Sequence, residues 1–343
     1  MTEMSKSITL GEIAAMTGGE VKGDPAIVIT AVAPPHKAVE GSISPLWEKK
    51  FLSDVKEGTV LFTGRGKVAE GQNGVEVDDP RVALIALLRY FDEAPVPDAA
   101  ISEKAIISPT ARLAANVTVA AGAVIRDSAT IGEGTVILEN AVIGENCEIG
   151  KECLIEPGAV IYHGTKIGNK CVLHANCVIG CDGFGFVPDP KGGMMKIPQI
   201  GITHLADGVE IGAFTSVDRA TFGETYIGPC TKIDSHVKVG HNCEIGAYTI
   251  LVSQCGIAGS SKIGNGVIMA ARSGVANHAT VGDRCTIGGN CGVFADVPPG
   301  STYSGFPAQD HKKELRQMAI IKKLPEYIEE IKELRKKIER LEK

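Results

Sequence analysis

Aliphatic residues recur every six positions along the chain, from Ile101 through Ile107, Leu113, Val119 and Ile125 to Leu173 and Ile179. The beat pauses between Cys181 and His204 and resumes at Leu205, Ile211 and Val217. It skips a four-residue insertion around Gly223, then runs from Ile227 to Val293. Four places after each aliphatic stands a small residue, such as Ala123, Thr135, Cys147, Thr215 or Ser261, and the place directly after it is often glycine, as at Gly132, Gly144 and Gly246. Neither the helical period of 3.6 nor a plain alternation of two fits this pattern. Two inward positions and a bend per hexad predict short strands separated by sharp turns, with glycine at the second place supplying backbone conformations that other residues avoid. Three such strands close a triangular coil, and stacked coils form a parallel β-helix with room inside only for aliphatic and small side chains. The repeats amount to roughly ten coils, a prism on the order of 48 Å long at the ~4.8 Å spacing of paired strands.

The flanks follow other rules. Residues 1–100 read as a small α/β domain with a helical stretch around Leu10–Ala14 and strand-like runs at Ile27–Ile29 and Val60–Phe62. Asp79-Pro80 opens a helix as a cap followed by proline in the first turn. Its apolar residues from Val82 to Phe91 lie almost all round, which predicts a well-buried helix. Residues 94–98 link this domain to the prism of 101–306, which carries a loop insertion at 181–204. The expected fold class is therefore mainly β, with an N-terminal α/β domain and a C-terminal helical tail over 307–343. In that tail Leu324, Tyr327, Ile331, Leu334, Ile338 and Leu341 alternate by three and four like a coiled-coil seam, and Pro325 is placed to open the helix. The seam predicts self-association. Its own preference for a dimer is too short to outvote the body of the protein.

Composition sharpens this picture. Aromatics are only 5% of the 343 residues and there are 41 glycines, as a thin aliphatic interior requires. Eight of the ten cysteines, from Cys147 to Cys291, fall at the small fifth place and read as core fillers, while Cys181 and Cys230 lie outside the pattern. The balance of 35 basic against 41 acidic residues argues against a nucleic-acid partner. No apolar run is long enough for a transmembrane segment and the start lacks a secretory signal, so a cytoplasmic location is expected. The acidic average conceals a basic tail beyond Asp310.

A dry interior leaves outward places and loops for chemistry. His241 stands at the third place of its hexad and His278 at the fourth of its own, two coils and one residue further on, so both lie along one edge about 10 Å apart. Asp234 precedes His241 by one hexad and one residue and falls at a different corner, so a pairing of the two has to cross a subunit boundary. An alternative reading groups His204, His236 and His241, whose spacing resembles the three-histidine zinc site of γ-class carbonic anhydrases. A solenoid with a purely structural role is the third possibility.

More specific are Cys181-Asp182-Gly183-Phe184-Gly185-Phe186 with Lys196-Ile197-Pro198-Gln199, then Val217-Asp218-Arg219, Thr231-Lys232-Ile233-Asp234, Gly240-His241-Asn242 and Tyr303-Ser304-Gly305-Phe306-Pro307-Ala308. With these motifs, and in its order of small domain, prism and tail, the chain resembles the UDP-3-O-(3-hydroxyacyl)glucosamine N-acyltransferases of lipid A biosynthesis. These belong to the hexapeptide-repeat acyltransferases, and another nucleotide-sugar acyltransferase of that class is the nearest alternative. The resemblance implies a homotrimer of left-handed β-helices with sites between subunits. It implies a (R)-3-hydroxyacyl donor on acyl carrier protein, the acyl chain carried on that partner's phosphopantetheine, and a UDP-sugar acceptor, with no metal or bound cofactor.

In residue terms the family's general base maps onto His241 and its carboxylate partner onto Asp234. A second histidine maps onto His278, and the backbone donor to the thioester carbonyl onto Gly259. Ser235 stands where the family often has Asn. The family's uracil-binding segment maps onto Ile43-Ser44-Pro45 through Lys50-Phe51: Pro45 replaces its phenylalanine, Phe51 its tyrosine, and Trp47 offers a substitute ring. Lys312, Lys313 and Arg316 in the basic tail are the expected contacts for acidic acyl carrier protein.

Overall fold

The computed structural model describes residues 6–48, 53, 55–92, 99–305 and 311–342. The chain divides into two compact units, Met1–Val96 and Pro97–Lys343.

In the first unit a five-stranded sheet is ordered Glu20–Lys22, Gly74–Val77, Val60–Gly64, Ser42–Leu46, Ala31–Val32. Helix α1 (Leu10–Thr17) starts in a capping box, the Glu12 N–H donating to Thr9 Oγ1 at 3.3 Å and the Thr9 N–H to Glu12 Oε2 at 2.8 Å. Helix α2 (Pro80–Phe91) starts on Asp79, whose carboxylate accepts the N–H groups of Arg81 and Val82. Leu10, Ile13, Ile43, Phe62, Val75 and Leu87 pack together as the core. The all-round apolar pattern of α2 does not produce an all-round burial. Leu87 is buried, whereas Val82, Ile85 and Leu88 stay 64, 50 and 48% exposed, because one sheet covers only one side of a helix.

The second unit is the parallel β-solenoid. Its three faces hold ten, ten and nine strands, most of them two residues long. Each strand pairs in register with the one a full coil later, Val124 with Val142 and Val142 with Val160. The aliphatic first places point inward, with Ile125, Ile131 and Ile137 at most 1% exposed, and the fifth places are equally buried. Threonines there satisfy their hydroxyls on the coil below, Thr135 Oγ1 donating to Gly150 O at 2.8 Å and Thr231 Oγ1 to Gly246 O at 2.7 Å. The eight fifth-place cysteines are buried free thiols. Burial pushes the Cys147 thiol up to about 11 and that of Cys177 up to about 12, which keeps these groups neutral and inert.

The second-place glycines have a different reason from the expected one. The left-handed backbone falls at the fourth place, where glycines alternate with Asn116, Asn140, Asn176 and others at φ between 53° and 65°. At the second place φ is ordinary, apart from Gly180 at a bulge. Glycine is required there because coils approach closely: a Cβ on Gly132 would stand 2.4 Å from the Gly150 carbonyl carbon, and one on Gly212 2.3 Å from that of Asp234.

The interruption of the repeat forms an antiparallel hairpin, Phe186–Pro188 with Met194–Lys196. Its root is pinned by the buried Arg219, which donates through Nε to Gly180 O and through its guanidinium to His163 O, both at 2.7 Å. At the far end α3 (His311–Leu341) is one continuous helix. Pro325 sits inside it rather than opening it, because the Lys-, Glu- and Leu-rich flanks are strong helix formers that carry the turn through. Its seam residues, Leu324, Tyr327, Ile331, Leu334, Ile338 and Leu341, are all exposed on the single chain. Among the described residues no helix is long and apolar enough to cross a membrane.

Candidate active site

One face of the prism stacks Ser216–Asp218, Lys238–Val239, Gly256–Ile257 and Gly274–Val275 on successive coils. The corner after this face carries His241, then Gly259 one coil on, then His278 on the next. These three line a single cavity of about 350 Å³ together with Phe184, Asp218 and Lys238. The sequence therefore names three residues that the fold brings together. The His278 N–H donates to Gly259 O at 3.3 Å and the Ser260 N–H to His241 O at 2.8 Å, which ties the three coils at this edge.

His241 lies flat against backbone on two sides. A Cβ on Gly259 would stand 2.6 Å from His241 Nε2, and one on Gly183 would stand 2.6 Å from His241 Cβ. Glycine at both positions is what admits the ring. Gly183 belongs to the Asp-Gly-Phe-Gly loop, so the hairpin insertion forms one wall of the site. That wall is held by the Lys196–Asp182 ion pair at 2.8 Å and by Gln199, whose Oε1 accepts the Thr221 hydroxyl at 2.9 Å.

The imidazole's proton distribution follows from its neighbours. His241 Nδ1 lies 3.1 Å from Asn242 Oδ1. The amide of Asn242 has a fixed orientation, since its Nδ2 donates to Phe222 O and its Oδ1 accepts the Thr221 N–H, both at 2.9 Å. An oxygen facing Nδ1 makes Nδ1 the protonated nitrogen of the neutral ring. The lone pair is then on Nε2, the atom beside Gly259.

Third-place amides at the corners are of two kinds, capped and open, and among the described residues Gly259 shares the open kind with Glu145 and Ala213. The third-place amides of Ser253 and Asn265 are capped by carboxylates, Asp234 Oδ2 at 3.0 Å and Asp283 Oδ1 at 2.7 Å. Among the described residues the Gly259 N–H meets no acceptor. A fixed, unused donor therefore stands within the same cavity as a histidine lone pair.

Asp234 is not brought to this cavity on the single chain. It lies at the corner after Lys232–Ile233 on another face, exposed, with its carboxylate accepting the N–H groups of Ser235 at 2.7 Å and Ser253 at 3.0 Å. The zinc triad is not assembled either. His204 meets Glu224 and Tyr226, His236 stacks on Phe214, and His241 faces Gly259. Among the described residues no three metal-ligating side chains converge.

The sequence motifs include Asp218 and Asn242 without giving either a role, and Lys238 was passed over. Asp218 is fully buried, ion-paired with Lys238 and accepting from Cys181 Sγ at 3.1 Å. A carboxylate directly after an inward aliphatic is the signal that could have found it, because that place normally holds a small residue. From this cavity an apolar groove of about 420 Å³ continues along the face. Its floor is the ladder Gly256, Gly274, Gly292, and its far end carries Phe294. A Cβ on Gly256 would meet nothing within 4 Å, so glycine there clears space instead of relieving the backbone.

In the first unit Trp47, 43% exposed, and Lys67 line a separate cavity of about 200 Å³. Lys50 and Phe51 lie outside the described residues. In α3 Arg316 is exposed, and the side chains of Lys312 and Lys313 lie outside the described residues.

Comparison with known proteins decides the family. The bacterial transferase hexapeptide (six repeats) family matches residues 128–161 and 146–181, and the hexapeptide repeat of succinyl-transferase matches 278–298. The UDP-3-O-acylglucosamine N-acyltransferase of Syntrophus aciditrophicus is 48% identical over 99% of this chain and 94% of its own. That of Burkholderia multivorans is 47% identical over 96% of each. The chain belongs to the UDP-3-O-acylglucosamine N-acyltransferase family. Membership makes it an acyltransferase enzyme. The crystal structure of an Arabidopsis UDP-N-acetylglucosamine acyltransferase, 24% identical, superimposes with a TM-score of 0.55 over 60% of this chain and 71% of its own, a likeness of fold.

Proposed function

We propose that the chain transfers a (R)-3-hydroxyacyl group from acyl carrier protein to the 2-amino group of UDP-3-O-(3-hydroxyacyl)glucosamine, a step of lipid A biosynthesis, acting as a homotrimer in the cytoplasm. The observation that carries this reading is the His241 Nε2 lone pair beside the unpartnered Gly259 amide at the mouth of a glycine-floored apolar groove.

The chemistry follows from those groups. The amine nitrogen attacks the thioester carbonyl carbon and must lose a proton as the tetrahedral intermediate forms. His241 Nε2 accepts it, a task suited to a neutral imidazole near neutral pH. The carbonyl oxygen becomes an oxyanion, and the Gly259 N–H is the donor aimed at it, a contact of the kind worth about 3 kcal/mol. The C–S bond then breaks and the thiol of the carrier's phosphopantetheine leaves with the proton from the imidazolium. His278, on the same edge, is positioned to contact substrate. Asp234 meets His241 across a subunit boundary in this scheme and supports the imidazolium from the neighbouring chain.

Trp47 with Lys67 is the stacking face and cation for the uridine diphosphate, joined by Lys50 and Phe51. Lys312, Lys313 and Arg316 receive the acidic carrier protein, so its binding weakens as salt rises.

The test is mass spectrometry of the product made from UDP-3-O-acylglucosamine and 3-hydroxyacyl-acyl carrier protein. One amide-linked acyl group per sugar is expected from the wild type, and loss of most kcat from His241→Ala at unchanged folding. No transfer by folded wild-type protein would refute the reading. UDP is expected to quench Trp47 fluorescence, and unchanged emission at saturation removes the tryptophan from the nucleotide site.

A further inference from the structure

Among the described residues Lys238 is the one polar side chain lining the acyl-sized groove, whose other lining residues are glycine, alanine, aliphatics and Phe294. It also lines the histidine cavity, so it stands where the two meet. In register below it comes Gly256, then Gly274 and Gly292, which puts the lysine at the reactive end of the glycine ladder.

The ammonium is held in place. Nζ donates to Ser216 Oγ at 3.1 Å and pairs with the buried carboxylate of Asp218. An ammonium has three N–H groups. Among the described residues two are used, which leaves one for a ligand. Burying the Asp218 carboxylate costs stability, offset here by its pairing with Lys238, and an apolar groove normally spends its few polar groups on orienting its ligand. An acyl chain lying in this groove with its carbonyl at Gly259 has its first methylenes beside Lys238. A hydroxyl on the third carbon is the only polar group such a chain carries there.

We propose that Lys238, fixed by Asp218, reads the 3-hydroxyl of the incoming acyl group and makes the enzyme selective for 3-hydroxyacyl over plain acyl donors. This rests on the acyltransfer reading above and adds the specificity-determining contact to it. A site built to bond a hydroxyl discriminates against the analogue lacking it, because its own polar group is then left unpaired.

The experiment compares kcat/KM for a matched pair of acyl carrier protein thioesters, one with and one without the 3-hydroxyl, at the chain length the wild type uses best. The wild type is expected to favour the hydroxylated donor by about 10- to 100-fold. Lys238→Met removes the donor and strands Asp218, so it is paired with Lys238→Met/Asp218→Asn, in which no buried charge is orphaned. Both are checked by thermal melting. In the double variant the ratio is expected to fall to within about threefold of one, and Lys238→Gln, which keeps an N–H without the charge, to recover part of it. A wild-type ratio near one, or an undiminished ratio in the folded double variant, overturns the proposal. Failure of the wild type to use either donor is a distinct result that refutes acyl transfer itself.

Discussion

Asn242 Oδ1 lies 3.1 Å from His241 Nδ1 while accepting the Thr221 N–H at 2.9 Å, so one amide oxygen holds the imidazole's proton on the nitrogen remote from Gly259. In the proposed mechanism the base is thereby prepared within one chain. Asn242→Ala frees the tautomer and is expected to lower kcat about 10- to 100-fold with little change in KM. Asn242→Asp adds a charge that favours imidazolium, so the acid limb of the kcat/KM profile moves to higher pH. A profile that stays put in the aspartate variant would refute this assignment.

Gly259 gives a second prediction. A Cβ there would stand 2.6 Å from His241 Nε2, so Gly259→Ala pushes the ring away while leaving the coil's inward packing alone. The expected result is a fall in kcat of at least about 100-fold with a melting temperature within a few degrees of wild type, the size seen when an oxyanion donor or its geometry is lost. Steady-state kinetics beside a thermal melt decide it. Retained turnover would show that the ring need not sit against this amide.

How much of this was legible in the sequence depends on how local each residue's surroundings are. Ile125, Cys147 and Thr215 repeat one environment every coil, so their place in the hexad alone discloses their burial. His241 and His278 could be placed on one edge by counting, because the same arithmetic fixes the corners, whereas Gly259 was named only through the family resemblance. The role of Asn242 escaped because its orientation is set by Thr221 and Phe222, which lie in an insertion that breaks the count. Lys238 reads as an ordinary outward lysine until Asp218 is seen buried beside it. The second-place glycines were located correctly and misexplained, since a steric approach between coils leaves the same mark in a sequence as a left-handed turn.

The glycine ladder predicts a measurable length preference. Gly274 faces open space, its nearest neighbour for an added Cβ being Gly256 O at 3.6 Å, so Gly274→Val fits sterically but fills the groove part-way along. Competition among donors of mixed length, read by mass spectrometry, is expected to shift toward shorter chains. Phe294, 87% exposed, stands at the far end of the groove, and if it stops the chain there Phe294→Ala shifts the profile toward longer chains. The groove spans three coil steps, on the order of 14 Å at the spacing of paired strands. Unchanged profiles in both variants would mean that the acyl chain lies elsewhere.

Away from the site, His174 predicts a pH signature in stability. Its Nδ1 lies 3.0 Å from Glu156 Oε1 and its Nε2 3.1 Å from Glu210 Oε1, with Lys232 on the far side of Glu210 at 3.1 Å. Partial burial lowers its pKa, but the hydrogen bonds to Glu210 and Glu156 outweigh burial and raise it above the ordinary 6.5. A raised folded value means that the native state holds this proton more tightly than the unfolded chain. The stabilisation is therefore complete below the unfolded value and fades as pH climbs through the raised one. His174→Gln keeps a hydrogen-bonding group but cannot take the proton. Melting temperatures of the two proteins are expected to differ most below about pH 6.5 and to converge as pH rises above it through the raised value, the direction this linkage requires. A gap that widens with rising pH would mean that the two carboxylates do not hold a protonated ring.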